Sequence, residues 1–533
     1  MGGRALLRST AAVLWVALIV SGCSPAGSSP GPTSSPAAAT ASATPSPSPT
    51  SVIPPDGRPT EPIPDLLLYG YADPPPGEGM SRYATQTLEW QPCGQTFECA
   101  DVRAPLDYAD PNGQAITLSL ARRKATAKPR LGTLFLNPGG PGASGRDLLA
   151  GFDAKGLERY DLIGWDPRGV DDSTPVQCFP RGADFDRYLA TDGSPDDDAE
   201  LGVEISENRA FAEACLKYSG SLLQHVSTLE TVRDLDLLRG LVKDEKINYL
   251  GFSYGTLIGS LYAQTYPKRV GRVVLDGAID IVESPVTQLE GFQRALSNFA
   301  TWCATKKCAL GNNRDKVLTA VSDLLTRLDT QPIKVGGRQL TQSLALTGVI
   351  YPLYGQENAW DALRQALIAA TKGDGSRLLR LADAYAGRHD DGSYDQDTSA
   401  NAAIRCRDSQ KTSVAKELKE DAAEIKKSPS TLSPFWGSDL LCPVWPVAPA
   451  PKLPKITARG ARPIVVVGTT GDPATPYEYA AGMARQLDSG VLITLRGYGH
   501  TAYSQSACIR TIVQAYLIKD VVPRMNASCS NLP

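Results

Sequence analysis

Histidine is almost missing: His225, His389 and His500 are the only three in a chain of 533 residues. No two cysteines form a C-x-x-C pair. With so few imidazoles and no paired thiols, a zinc-type metal site is not expected, and no cofactor is implied. An excess of one charge is missing too. The 54 basic residues face 57 acidic ones for a net charge of −3, so neither nucleic acid nor an anionic surface is expected as an electrostatic partner. No G-K-[ST] follows the glycine-rich Asn137-Pro-Gly-Gly-Pro-Gly142, which sets phosphate cradling aside. Long apolar runs are scarce as well. The one near the start, Ala11 to Val20, is too short to cross a bilayer as a mature helix.

What is present begins with that run. Arg4 and Arg8 precede it and Ser21-Gly22-Cys23 follows, the order of a signal peptide over residues 1–22. Val20-Ser21-Gly22-Cys23 resembles a bacterial lipobox, in which the cysteine is lipidated and becomes the first mature residue. Residues 23–60 are nearly all Ser, Pro, Ala, Thr and Gly, a composition that buries no core and suits a disordered linker. The expectation is an extracytoplasmic protein, tethered to the membrane through Cys23 or released to the cell envelope. Setting Cys23 apart from the 11 cysteines leaves an even number in an exported chain, so disulfides are expected. Cys93/Cys99 and Cys303/Cys308 are close enough for local loops. Cys178/Cys215, Cys406/Cys442 and Cys508/Cys529 are the simplest remaining pairings, though spacing does not fix them.

Beyond the linker, short apolar runs follow one another like the strands of an α/β sheet. Ile116 to Leu120 alternates as a half-exposed strand. Gly132 to Leu136 leads into Asn137-Pro-Gly-Gly-Pro-Gly142, and Tyr160 to Trp165 into Asp166-Pro-Arg-Gly169. Leu229, Val232, Leu235, Leu238 and Leu241 form the apolar stripe of a helix. Ile247 to Leu250 and Gly271 to Asp276 are further strands. Residues 283–452 read as mainly helical, with stretches such as Ala359 to Thr371 and Asp374 to Ala386. Strands resume at Arg462 to Val467 and Gly490 to Leu495. A sheet interrupted and then completed predicts a core in two parts, 85–282 and 453–533, with a helical cap inserted between them.

Gly251-Phe252-Ser253-Tyr254-Gly255 lies between one such strand and a helix that Pro267 closes. In that context the serine becomes a nucleophile standing clear of the sheet. A serine hydroxyl needs an imidazole to take its proton, and the imidazole needs a carboxylate to fix its tautomer. His500 follows the last long strand and is the one histidine in the right order; His225 and His389 read as structural. Asp472, after Gly468-Thr-Thr-Gly471, is the preferred acid, with Asp276 its rival. Asp166 and Arg168 read as braces for their own loop. An oxyanion needs preset N–H donors: the amide of Tyr254, and one from the 137–142 loop, Gly140 by preference and Gly139 otherwise.

The words N-P-G-G-P-G at 137–142, W-D-P-R-G at 165–169, G-F-S-Y-G-T at 251–256, D-P-A-T-P at 472–476 and G-H-T at 499–501 resemble the tripeptidyl-aminopeptidase-like serine peptidases of actinobacteria, relatives of proline iminopeptidase with the α/β-hydrolase fold. The resemblance implies release of short peptides from the free N-termini of peptides or proteins through an acyl-enzyme. It carries the nucleophile to Ser253, the acid to Asp472 and the base to His500. Proline iminopeptidases open their glycine loop with a histidine, where this chain has Pro138, so strict proline specificity is not implied. Cap carboxylates bind the substrate amine in those relatives; Glu290 and Glu357 are the candidates here. An esterase or lipase on the same triad is the alternative, and a non-catalytic peptide-binding lipoprotein a third.

Overall fold

The computed structural model describes residues 71–532, so the signal peptide, Cys23 and the linker lie outside the described residues. Short, nearly continuous apolar runs build the central sheet. Its main strands are β1 (Glu98–Pro105), β2 (Ala115–Arg123), β3 (Thr133–Asn137), β4 (Asp161–Trp165), β5 (Ile247–Phe252), β6 (Val270–Asp276), β7 (Ile464–Gly471), β8 (Gly490–Tyr498) and β9 (Ala527–Ser530). The spatial order is β9-β8-β7-β6-β5-β3-β4-β2-β1, with the two-residue pieces Tyr71–Ala72 and Gln91–Pro92 completing eleven strands. From β9 to β4 every pairing is parallel. β2 runs antiparallel to both β4 and β1.

The helices that matter for the site are α1 (Gly145–Gly151), α2 (Thr228–Leu241), α3 (Gly255–Thr265), α4 (Gln288–Thr305), α5 (Glu357–Thr371), α6 (Asp397–Asp408), α7 (Tyr477–Gln486) and α8 (Ala507–Lys519). Of these, α1, α2, α3, α7 and α8 cover the sheet because its strands are apolar on both sides. Leu134, Leu250, Val465 and Val467 join Leu149 of α1 and Ile509, Val513 and Tyr516 of α8 in one core. The alternate residues Phe135, Tyr249, Ile464 and Val466 join Val232 and Leu235 of α2, Ile258 of α3 and Met483 of α7 in another. Between β6 and β7 the chain is mainly helical, with one hairpin pairing Ile333–Val335 and Arg338–Leu340. It has its own core, in which Phe292, Leu296 and Phe299 of α4 meet Trp360 and Leu363 of α5. All described residues fall in one compact unit, and its mostly parallel, helix-flanked sheet is the α/β-hydrolase arrangement.

Two details depart from the sequence reading. β2 is not half-exposed: Ile116, Leu118 and Leu120 are fully buried on one side, while inward Ser119 donates its hydroxyl to Asp101. The face of Thr117 and Ser119 is thus mostly covered, with Thr117 partly exposed and only Ser119 buried. β1 and β9 alternate only small apolar residues, Ala100, Val102 and Ala104 in one and Ala527 and Cys529 in the other, and β9 is held by pairing with β8 and by the disulfide at Cys529. Five disulfides join Cys93–Cys99, Cys178–Cys215, Cys303–Cys308, Cys406–Cys442 and Cys508–Cys529, the pairings expected.

Candidate active site

The turn from β5 into α3 holds Ser253 at φ 53°, left-handed backbone that an L-residue adopts under constraint. The constraint is visible. The Ser253 amide donates to the Asp276 carbonyl at 2.9 Å. Thr256 donates both its amide and its hydroxyl to the Ser253 carbonyl, at 2.8 and 2.7 Å. A side chain at position 255 would place its Cβ 2.6 Å from Asn137 Oδ1, so glycine is required for α3 to start so close to β3.

His500 follows β8 and reaches the same edge of the sheet. Its Nδ1 lies 2.9 and 3.0 Å from the two carboxylate oxygens of Asp472, which follows β7. That pairing commits Nδ1 and leaves Nε2 as the ring's other nitrogen. The Cε1 of His500 is 3.1 Å from where a Cβ on Gly277 would stand, one residue beyond the carbonyl that fixes Ser253. The imidazole therefore lies over the strand end that also anchors the elbow. Its backbone is held by Tyr354, whose carbonyl accepts the His500 amide at 2.8 Å and whose ring meets the imidazole edge-on at 5.5 Å. Burial alone would lower the imidazole pKa, but the adjacent Asp472 charge outweighs it and holds the value above the ordinary one.

The two candidate acids divide the work. Asp472 accepts from the amides of Ala474, Thr475 and Thr501 and from the Thr475 hydroxyl at 2.9 Å. Fully buried Asp276 does not meet the imidazole. It receives the amides of Ala502 and Tyr503 at 2.8–3.0 Å and so pins the loop just after His500. Burial pushes its carboxyl up to about 6, against the pull of those donors. Thr475, whose hydroxyl also lies 3.2 Å from His500 Nδ1, is a site residue the sequence reading missed. Its position three residues beyond Asp472 in D-P-A-T-P was the available signal.

The 137–142 loop packs directly on the elbow. At Gly139, φ is +101° and a Cβ would meet the Phe252 carbonyl at 2.5 Å and Ser253 Cβ at 2.9 Å. The Gly139 amide is already given to Asn137 Oδ1 at 3.0 Å. Among the described residues the amides of Gly140 and Tyr254 donate to no protein group.

The remaining candidates are placed elsewhere. Glu290 commits one carboxylate oxygen to the Thr287 amide in a helix cap and receives the Ser428 hydroxyl on the other at 2.5 Å. Glu357 opens α5 and is exposed. His225 pairs with Glu230 at 3.1 Å and His389 with Asp395 at 2.8 Å. Arg168 is fully buried in a bidentate pair with Asp234 at 2.7 Å, and Asp166 receives Ser144 at 2.6 Å, so both brace loops. Acid gathers instead at the head of α6. There the Asp397 carbonyl and the Asn401 amide pack against Gly142. The Asp397 residue opens to solvent, yet surrounding protein together with Asp395, Asp171 and Asp147 holds its carboxyl up at about 7.

Residues 428–529 match the family model described as TAP-like protein. The chain is 36% identical over 479 residues to serine protease Hip1 of Mycobacterium tuberculosis, covering 83% of this chain and 91% of that protein. It is 37% identical over 460 residues to carboxylesterase B of the same species, covering 82% and 87%. It is 27% identical over 478 residues to a tripeptidyl aminopeptidase of Streptomyces coelicolor, covering 84% and 87%.

Proposed function

Because the chain belongs to the TAP-like family of α/β-hydrolase serine peptidases and their relatives, we propose that it is an exported aminopeptidase releasing short peptides from free N-termini. Ser253 attacks the scissile carbonyl while His500 Nε2 takes its proton, and Asp472 stabilises the imidazolium through Nδ1. The tetrahedral oxyanion is received by the amides of Tyr254 and Gly140. His500 then returns the proton to the departing amine, leaving an acyl-enzyme that water clears by the same steps in reverse roles. Lipidation at Cys23 would tether the enzyme outside the membrane, and five disulfides suit that oxidising side.

The observation that carries the reading is the His500–Asp472 pair at the strand edge where Ser253 stands strained. The carboxylates around Asp397, beside the oxyanion loop, favour an ammonium-bearing substrate over a neutral ester. Burial by the surrounding protein does most to hold the Asp397 carboxyl at about 7 and the neighbouring carboxylates add to it; a cation there would offset both. Carboxylesterase B among the relatives keeps ester cleavage as the second reading.

Three substrates separate the two: a free tripeptide p-nitroanilide, its N-acetylated form and a short-chain aryl ester. The expected result is cleavage of the free peptide far above the acetylated one, all of it abolished by Ser253→Ala with the fold intact. Equal rates on blocked and free peptides would remove the aminopeptidase claim, and turnover by the alanine variant would remove the serine mechanism.

A further inference from the structure

The two amides offered to an oxyanion belong to different segments, Gly140 to the loop after β3 and Tyr254 to the elbow after β5. Their separation must be fixed to a fraction of an ångström for both to serve one oxygen. Direct packing of Gly139 on the elbow supplies part of that fixing. The rest comes from one cap helix that touches the glycine loop directly and reaches the elbow through Thr228.

The first turns of α6 lie along the glycine loop. The Asp397 carbonyl and the Asn401 amide stand 2.8 and 2.9 Å from where a Cβ on Gly142 would project. Asn401 Nδ2 donates to the carbonyl of Pro141 at 3.0 Å, and that peptide unit directly follows Gly140. At the other end of the helix, Asp408 accepts the Thr228 amide at 3.1 and 3.2 Å and also the Thr228 hydroxyl. The Thr228 hydroxyl is 2.5 Å from the buried Tyr254 phenol. A carboxylate only accepts and a threonine hydroxyl carries a single proton, so that proton goes to Asp408 and the phenol donates to threonine. A relay Tyr254→Thr228→Asp408 results, and it anchors the ring of the residue whose amide is the second donor. Seven residues separate Asn401 from Asp408, a rise of about 10 Å along an α-helix. One rigid element thus spans the gap between the donors. The disulfide Cys406–Cys442 fastens its last turn.

We propose that Asn401 and Asp408 are positioning residues for oxyanion stabilisation, with α6 acting as a clamp that sets the spacing of the Gly140 and Tyr254 amides. The inference rests on the serine-hydrolase reading above. Neither side chain needs to touch the substrate. Because the clamp acts on the developing oxyanion, its loss lowers kcat and leaves ground-state binding in place.

The test uses the full chain with a free tripeptide p-nitroanilide and p-nitrophenyl butyrate as substrates. Asn401→Asp keeps shape but cannot donate to the Pro141 carbonyl, and Asp408→Asn keeps shape but loses the carboxylate. Each is expected to lower kcat about tenfold or more on both substrates with KM within about twofold, short of the 10²–10³ for deleting a donor outright. A tripeptide boronic acid, whose serine adduct uses the same two amides, should lose affinity in parallel, while a product tripeptide binds unchanged. Tyr254→Phe cuts the same relay, so combining it with Asp408→Asn should add little to either single change. Folded variants with unchanged kcat, or with KM raised and kcat retained, would overturn the clamp. So would a full additive loss in the Tyr254→Phe background. Ser253→Ala runs alongside: if it still turns over substrate, the serine reading itself fails. If it is inactive while the α6 variants keep their kcat, only the clamp is lost.

Discussion

At the scale of single residues, the site turns on which carboxylate His500 meets. Asp472 is paired with Nδ1, so Asp472→Asn should lower kcat by roughly four orders of magnitude by admitting the wrong tautomer. The variant also has a pH signature. As a base His500 must be neutral, so kcat/KM rises with pH through the imidazole pKa. That pKa is held above the ordinary value of about 6.5 by the Asp472 charge. Removing the charge lets burial dominate and moves the acid limb to lower pH, which a pH–rate profile of the residual activity reads directly. That Ser253, Asp472 and His500 each follow a strand was legible, and three histidines left little choice for the proposed base. The residues that support them were not legible. Thr475 looks like any threonine in a turn, and Asn401 and Asp408 lie some 150 residues along the chain from the elbow they reach, a proximity created by folding alone. Glu290 carries the right charge, but its position three residues after Thr287 already marked it as a helix cap.

At the scale of elements, apolar rhythm revealed β3 to β8 because each is buried on both faces by covering helices. β1 and β9 escaped because Glu98–Pro105 and Ala527–Ser530 are short of β-branched and aromatic side chains and owe their place to neighbours. The disulfides offer a graded test of the same dependence. Chain-entropy reasoning ties a crosslink's contribution to the loop it closes. Cys406–Cys442 closes a separation of 36 residues and Cys303–Cys308 one of 5. Replacing the first pair by serine should cost about 4 kcal/mol and the second about 2. Urea midpoints of the two variants, measured against the oxidised parent, give the comparison.

At the scale of the whole molecule, the cap interrupts the chain and leaves the sheet intact. β6 and β7 lie side by side although nearly two hundred residues of chain separate them, and β7 completes the hydrogen bonding of Val273 to Asp276. A chain ended after residue 452 should therefore not fold as a smaller enzyme. It would expose β6 as a bare apolar edge, a template for aggregation. Aggregation of that truncation on size-exclusion chromatography, together with loss of the cooperative thermal transition, is the expected outcome; a monomeric, cooperatively melting fragment would contradict it.

The same threading sets an order of arrival. A polypeptide delivered amino end first exposes its serine hundreds of residues before its imidazole. While the remainder is still being made or exported, the hydroxyl has no base to activate it. On the proposed triad, hydrolytic competence is thus the last thing the newborn chain acquires, gained only when the closing strands slide in beside β6.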